Sequence, residues 1–166
     1  MRICTWAPTT FQGTQVVRRD VQPLAVPKGK ELVRFTTEIV RRYEDLGVSD
    51  LLIAQRWWGN GEEIEGSSLD CLAMTTLFAS YTEKLKLITA IHPGFFSPTT
   101  IAKWAATIDN LTQGRWAINV TSGWNMDEFD MYGVDKLDHD GRYSRSAEFV
   151  EVLRGAWENR VFDYHG

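Results

Sequence analysis

Residues 114–133 read Gly114-Arg-Trp-Ala-Ile-Asn-Val-Thr-Ser-Gly-Trp-Asn-Met-Asp-Glu-Phe-Asp-Met-Tyr-Gly133, and their pattern decides the fold. Trp116, Ile118 and Val120 alternate with Ala117, Asn119 and Thr121, which is the two-residue period of a strand. Gly114 stands where a preceding helix would stop, so the local order is helix, turn, strand. One face of the strand is apolar, and the other turns polar toward the C-terminal end, where the loop Ser122-Gly123-Trp124-Asn125 follows at once. In parallel α/β proteins ligands gather at the C-terminal ends of strands, which makes this junction a candidate site.

Outward from it, the chain repeats the same theme. A first strand is predicted over residues 2–6, followed by a Pro- and Gly-bearing connection over 7–29. A connection of that length is usually functional or mobile. Leu32, Phe35, Ile39, Tyr43 and Leu46 recur at helical spacing, predicting a helix from about Glu31 to Leu46 that Gly47 ends. The continuous apolar run Leu51-Leu52-Ile53-Ala54 predicts a second strand over 50–55, covered on both faces. A polar loop with Trp57, Trp58, Glu62, Glu63 and Glu65 leads to a helix expected to start at Ser67 or Ser68. A third strand is predicted over 85–91, ended by His92-Pro93-Gly94. The next helix carries Ser97 as its cap and Pro98 at its first position. After the 114–133 stretch, in which 126–131 can form a short helix, a last helix is predicted from Gly141 or Arg142 to about Trp157, capped by Asp140.

The order βαβαβαβα implies a parallel sheet with right-handed crossovers. Two architectures fit, a four-stranded open sheet of flavodoxin type or half of a (β/α)8 barrel. A closed barrel takes about 250 residues, so 166 residues are too few to close one alone. A half-barrel leaves sheet edges and interior to be covered, by a longer parent chain, a complementing second chain or a second copy. The length suits one domain over residues 1–166, and 43% hydrophobic residues suit a packed core.

A net charge of −4 without a Lys/Arg stripe gives no nucleic-acid footprint. Cys4 and Cys71 lie far apart and offer no metal-ligand spacing. The chain shows no signal peptide and no bilayer-length apolar run, so a cytoplasmic, reducing setting is expected. No G-x-G-x-x-G follows the first strand, and there is no Walker loop and no G-x-S-x-G elbow.

The run Asn119-Val120-Thr121-Ser122-Gly123-Trp124-Asn125, with Glu128-Phe129 and Gly133, resembles the bacterial-luciferase-like flavin monooxygenases. Within them it is similar to the FMN-dependent alkanesulfonate, dimethylsulfone and pyrimidine branch. His92-Pro93-Gly94, residues 107–112 and Arg142-Tyr143 with Glu148-Phe149 fit the same pattern in the same order. The resemblance covers roughly residues 30–166 and only the front half of such an enzyme. It therefore implies the N-terminal half of a TIM barrel, four βα units, incomplete on its own.

The implied activity is a monooxygenase that uses reduced FMN, supplied by a separate flavin reductase, and O2 to oxygenate a small organic or organosulfur substrate. The competing reading is a non-catalytic half-barrel that binds flavin or assembles with a partner subunit. A homo-oligomer or a complementing half is expected, without nucleic acid or membrane. By resemblance Asn119 contacts the FMN ring, Arg142 and Tyr143 belong to the phosphate environment, and Glu128 is also tied to FMN. Ala54 and Gln55 lie where relatives place residues beside the isoalloxazine. Gln55 stands where some relatives carry a catalytic Cys or His, so no catalytic residue is assigned. Trp57, Trp58 and Trp124 are candidates for the substrate pocket, and packing against the 7–29 connection competes for the first two. Asn119 as a loop cap, Arg142-Tyr143 as a solvated first turn and Glu128 as an exposed helical glutamate are the plain alternatives. The sequence names neither the substrate nor the choice between FMN and a deazaflavin.

Overall fold

A computed structural model of the chain describes residues 1–10, 27–57, 68–159 and 161–166. Among the described residues, strands and helices follow in the order β1 (Cys4–Trp6), α1 (Gly29–Asp45), β2 (Asp50–Ile53), α2 (Cys71–Tyr81), β3 (Lys86–Ile91), α3 (Pro98–Thr112), β4 (Trp116–Val120), α4 (Met126–Met131) and α5 (His139–Glu158). The strands form one sheet in the order β1-β2-β3-β4. The register is parallel, with Cys4 beside Asp50 and Asp50 beside Lys86. Leu87 donates its N–H to Arg115 (2.8 Å), and Thr121 donates to Ile91 (2.8 Å), which carries β4 along β3 in the same direction. The strand order follows the chain without reversal. A flavodoxin-type sheet reverses after its first strand, so that alternative is excluded. The four βα units are those of the N-terminal half of a (β/α)8 barrel.

The chain divides into two compact units, residues 1–90 with 115–117, and residues 91–114 with 118–166. In the first, Leu51, Ile53, Leu85, Leu87, Phe78 and Val40 are fully buried between the strands and the helices α1 and α2. The buried hydroxyls are paired: Thr75 Oγ1 and Thr89 Oγ1 lie 2.8 Å apart, and Trp116 Nε1 donates to Thr89 Oγ1 at 3.0 Å. A buried hydroxyl left without a partner would be costly, so this pairing fixes the register of β3 and β4 against α2. In the second unit α3 packs on α5 around Ile101, Ala105, Ile108, Phe149 and Leu153. Trp157 Nε1 donates to the Ala102 carbonyl at 3.0 Å.

The helix ends differ from the sequence reading at α1, which begins at Gly29 rather than near Glu31, and at α3, where Ser97 holds the cap position without a side-chain capping bond, as well as in two further places. The helix expected at Ser67 or Ser68 starts at Cys71, because Asp70 Oδ1 accepts from the Ala73 N–H at 2.7 Å. Ser68 is engaged elsewhere, accepting from the Arg56 N–H at 2.7 Å and forming a bridge to Thr10. The last helix starts at His139, and Asp138 rather than Asp140 caps it by accepting from the Gly141 N–H at 2.8 Å. Ser67, Trp58 and the acidic positions 62, 63 and 65 lie outside the described residues, as does 11–26.

The lower rim of the first unit, at the N-terminal ends of its strands, is held by two long side chains. The Glu44 carboxylate accepts from the N–H groups of Glu83 (3.0 Å), Lys84 and Leu85 (2.8 Å). Burial pushes its carboxyl up, but those three donors, with Arg115, outweigh burial and leave it below its ordinary value. The unfolded chain binds that proton more tightly than the folded one. The contribution is therefore complete above about 4.3, the ordinary glutamate value, and fades as pH falls through the lower folded-state value. The stability gap between wild type and Glu44→Gln, measured by urea unfolding from pH 6 to pH 3, is expected to hold level down to about pH 5 and to shrink as pH falls below about 4.3. A gap that stays constant across that range contradicts the assignment.

Candidate functional site

In the second unit the site grows from the end of β4. Trp116 is fixed on the α2 side of the sheet by its bond to Thr89, so alternation puts Asn119 on the opposite face, where it is exposed. Its carboxamide has no hydrogen-bond partner among the described residues. After Thr121 makes its bond to Ile91, the chain leaves the sheet and turns at Gly123, whose φ of +85° is a left-handed conformation. A side chain there would also collide, since a Cβ would lie 2.6 Å from the Phe129 ring. Phe129 is buried and meets Phe95 edge to face at 4.9 Å, so the loop rests on an aromatic floor. Asn125 then caps α4, its Oδ1 accepting from the Asp127 N–H at 3.1 Å.

Helix α5 braces the same loop. Ser146 Oγ lies 2.8 Å from Ser122 Oγ and bonds the Arg142 carbonyl at 3.0 Å. Arg142 reaches back: Nε donates to the Gly123 carbonyl at 3.1 Å and Nη1 to the Leu137 carbonyl at 2.8 Å. Nη1 also lies 3.9 Å from the Met126 sulfur. Tyr143, the next residue, is 59% exposed and stacks on His139 with ring centroids 4.6 Å apart. Its hydroxyl has no partner among the described residues. Glu128, expected on sequence as a flavin-linked carboxylate or an exposed helical one, is 4% exposed and so is not a surface residue. Trp124 is exposed on the loop.

This unit thus brings Arg142 to the Ser122–Asn125 loop and leaves Asn119 and Tyr143 with open polar groups. The sequence reading did not single out Ser146 or the supporting role of Phe129. Ser146 follows Arg142 by one helical turn, and that spacing was the available signal.

The first unit holds the β2 end. Ala54 and Gln55 are half-buried just past β2, and Trp57 is half-buried beyond them. Gln55 Oε1 accepts from the Cys71 N–H at 2.9 Å, so its carbonyl serves the start of α2. Cys71 is buried, with Sγ 3.3 Å from the Ala90 carbonyl. Burial, aided by Asp70, pushes its thiol up to about 12, so it holds no thiolate at neutral pH. Among the described residues no group of His, Cys, Asp and Glu could hold a metal ion. No described helix is long and apolar enough to cross a membrane.

A family model described as luciferase-like monooxygenase matches residues 1–166. The chain is 53% identical over 85 residues to an FMNH2-dependent dimethylsulfone monooxygenase of Pseudomonas putida, covering 51% of this chain and 23% of that protein. It is 30% identical over 146 residues to a pyrimidine monooxygenase of a Bradyrhizobium species, covering 86% of this chain and 41% of the relative. Among solved structures, monooxygenase RslO1 from Streptomyces bottropensis superposes with a TM-score of 0.78 at 20% identity, over 100% of this chain and 46% of that one. The chain therefore spans less than half the length of each of these proteins.

Proposed function

The chain belongs to the luciferase-like monooxygenase family, and from that membership we propose that it is the flavin-holding half of an FMN-dependent monooxygenase acting on a small organic, organosulfur-type substrate. The similarity to a dimethylsulfone monooxygenase supports the substrate class. The observation that carries the reading is the open carboxamide of Asn119 at the C-terminal end of β4, beside a loop braced by α5. A carboxamide both donates and accepts, and the edge of a flavin ring presents carbonyls and an N–H. Tyr143 offers a free hydroxyl on the first turns of α5, suited to a phosphate oxygen. The residues present thus fit the cofactor.

Reduced FMN, when bound, supplies the electrons with which O2 is activated for oxygen transfer. Asn119 fixes the orientation of the ring. The loop 122–125 with Phe129 beneath it forms a dry wall on that side, and exposed Trp124 supplies apolar surface toward substrate. Ala54, Gln55 and Trp57, at the end of β2 in the first unit, are assigned to the ring and the substrate by the family resemblance alone. A separate reductase delivers the reduced flavin, and the remaining barrel units, from a longer parent chain, a complementing chain or a second copy, complete the enzyme. The setting is cytoplasmic.

The test combines a size measurement with an anaerobic titration by reduced FMN. Wild type is expected to associate and to bind, and Asn119→Ala to bind about tenfold more weakly, the worth of one or two hydrogen bonds to a ring. Equal affinity in both proteins contradicts the assignment of Asn119. Substrate turnover by the isolated monomeric chain contradicts the half-enzyme reading.

A further inference from the structure

We propose that Arg142 is a positioning residue, which holds the loop after β4 in its flavin-receiving shape, and that its guanidinium is not the phosphate ligand. The inference rests on the flavin reading above and refines it. An arginine that recognises phosphate presents two parallel N–H donors from its fork to the anion. Here Nε and Nη1 are already committed, to the carbonyls of Gly123 and Leu137. Those carbonyls lie on either side of α4, one in the loop that leaves β4 and the other just before α5. One planar group thus ties the two ends of the 123–137 excursion together.

The rest of the local architecture agrees. Gly123 sits in a left-handed conformation over the Phe129 ring, so its carbonyl direction is set by backbone geometry and needs a donor to hold it. The Arg142 carbonyl is itself held by Ser146 Oγ, which also touches Ser122 Oγ. The loop is therefore clasped at two points by consecutive turns of one helix. Tyr143 points a free hydroxyl outward from the adjacent position, which leaves the phosphate contact to it. The two residues of the Arg142-Tyr143 pair then have separate tasks, the first shaping the site and the second binding.

The two roles separate by comparing FMN with riboflavin, which lacks the phosphate, in wild type, Arg142→Ala and Arg142→Lys. A clamp serves both flavins alike. In Arg142→Ala both affinities are expected to fall by a common factor of about ten, leaving their ratio within about twofold of wild type. Lysine keeps the charge but replaces the fork with a single ammonium, so Arg142→Lys is expected to stay weak toward both. Hydrogen exchange reports the clamp without flavin. Amides of 123–126 are expected to exchange at least about tenfold faster in both variants, while those of β3 and α3 keep their protection. The proposal is overturned if Arg142→Ala loses FMN affinity alone, or if Arg142→Lys restores it. It is equally overturned if loop exchange is unchanged. Should wild type bind neither flavin, the flavin reading fails, and the exchange result still decides whether the clamp exists.

Discussion

Gly123→Ala is expected to destabilise the chain by roughly 3–4 kcal/mol, the sum of a strained left-handed backbone and an overpacked contact. Gly123 has φ +85°, and a methyl there would lie 2.6 and 2.8 Å from two atoms of the Phe129 ring. The ring cannot retreat easily, because it is buried and held edge to face by Phe95, which in turn lies 5.7 Å from Tyr132. Urea unfolding of the single variant reads the whole cost. The double variant Gly123→Ala/Phe129→Leu separates the parts. Shrinking the ring relieves the collision and leaves the backbone strain, so the two costs should combine to about 1 kcal/mol less than their sum. Strict additivity would mean that Phe129 does not set the height of the loop.

The second large effect is expected at Arg115→Ala, about 2–3 kcal/mol, as hydrogen bonds from a charged donor are withdrawn from buried acceptors. Its Nη1 donates to the Leu85 carbonyl at 2.9 Å and to Thr82 Oγ1 at 3.2 Å, and Nη2 donates to the Thr82 carbonyl at 3.0 Å. It thereby closes the C-terminal end of α2, whose last turn carries no basic residue of its own. Arg115 also opens β4, so one side chain couples the end of α2 to the start of β4. Arg115→Lys can satisfy one or two of these acceptors and should recover less than half of the loss, read as the shift in the urea midpoint. Full recovery by lysine would show that charge, and not the fork, closes the helix.

These two sites show where the sequence speaks and where it does not. The alternation in Trp116–Val120, the Ser97-Pro98 start of α3 and the apolar run of β2 are local signals, and the structure has each element there. Helix ends were legible only to within a few residues. Asp138 and Asp140 are equally good caps on paper, and only Asp138 has its Oδ1 against the Gly141 N–H. Ser68 looked like a cap but is taken up by Arg56 and Thr10. Such competition is settled by partners remote in sequence. The same holds for Glu44 gathering the N–H groups of 83–85, and for Arg115 reaching back to Thr82.

Of the candidate site, the face that Asn119 occupies followed from strand alternation, and the place of the 122–125 loop from the end of that pattern. The engagement of Gln55 with the start of α2 and the clasp of Arg142 on Gly123 and Leu137 were not legible. A guanidinium near a helix start suggests an anion. Its geometry alone shows that two of its three nitrogens, Nε and Nη1, are already directed at carbonyls.

The most direct test of the account is a residue-resolved map of backbone amide shifts during titration of the isotope-labelled chain with FMN. The account predicts that the largest changes fall at Asn119, across Ser122–Asn125 and at Tyr143, with the Glu83–Leu85 rim unmoved. Saturable changes that avoid the end of β4, or no saturable change at all, would contradict it.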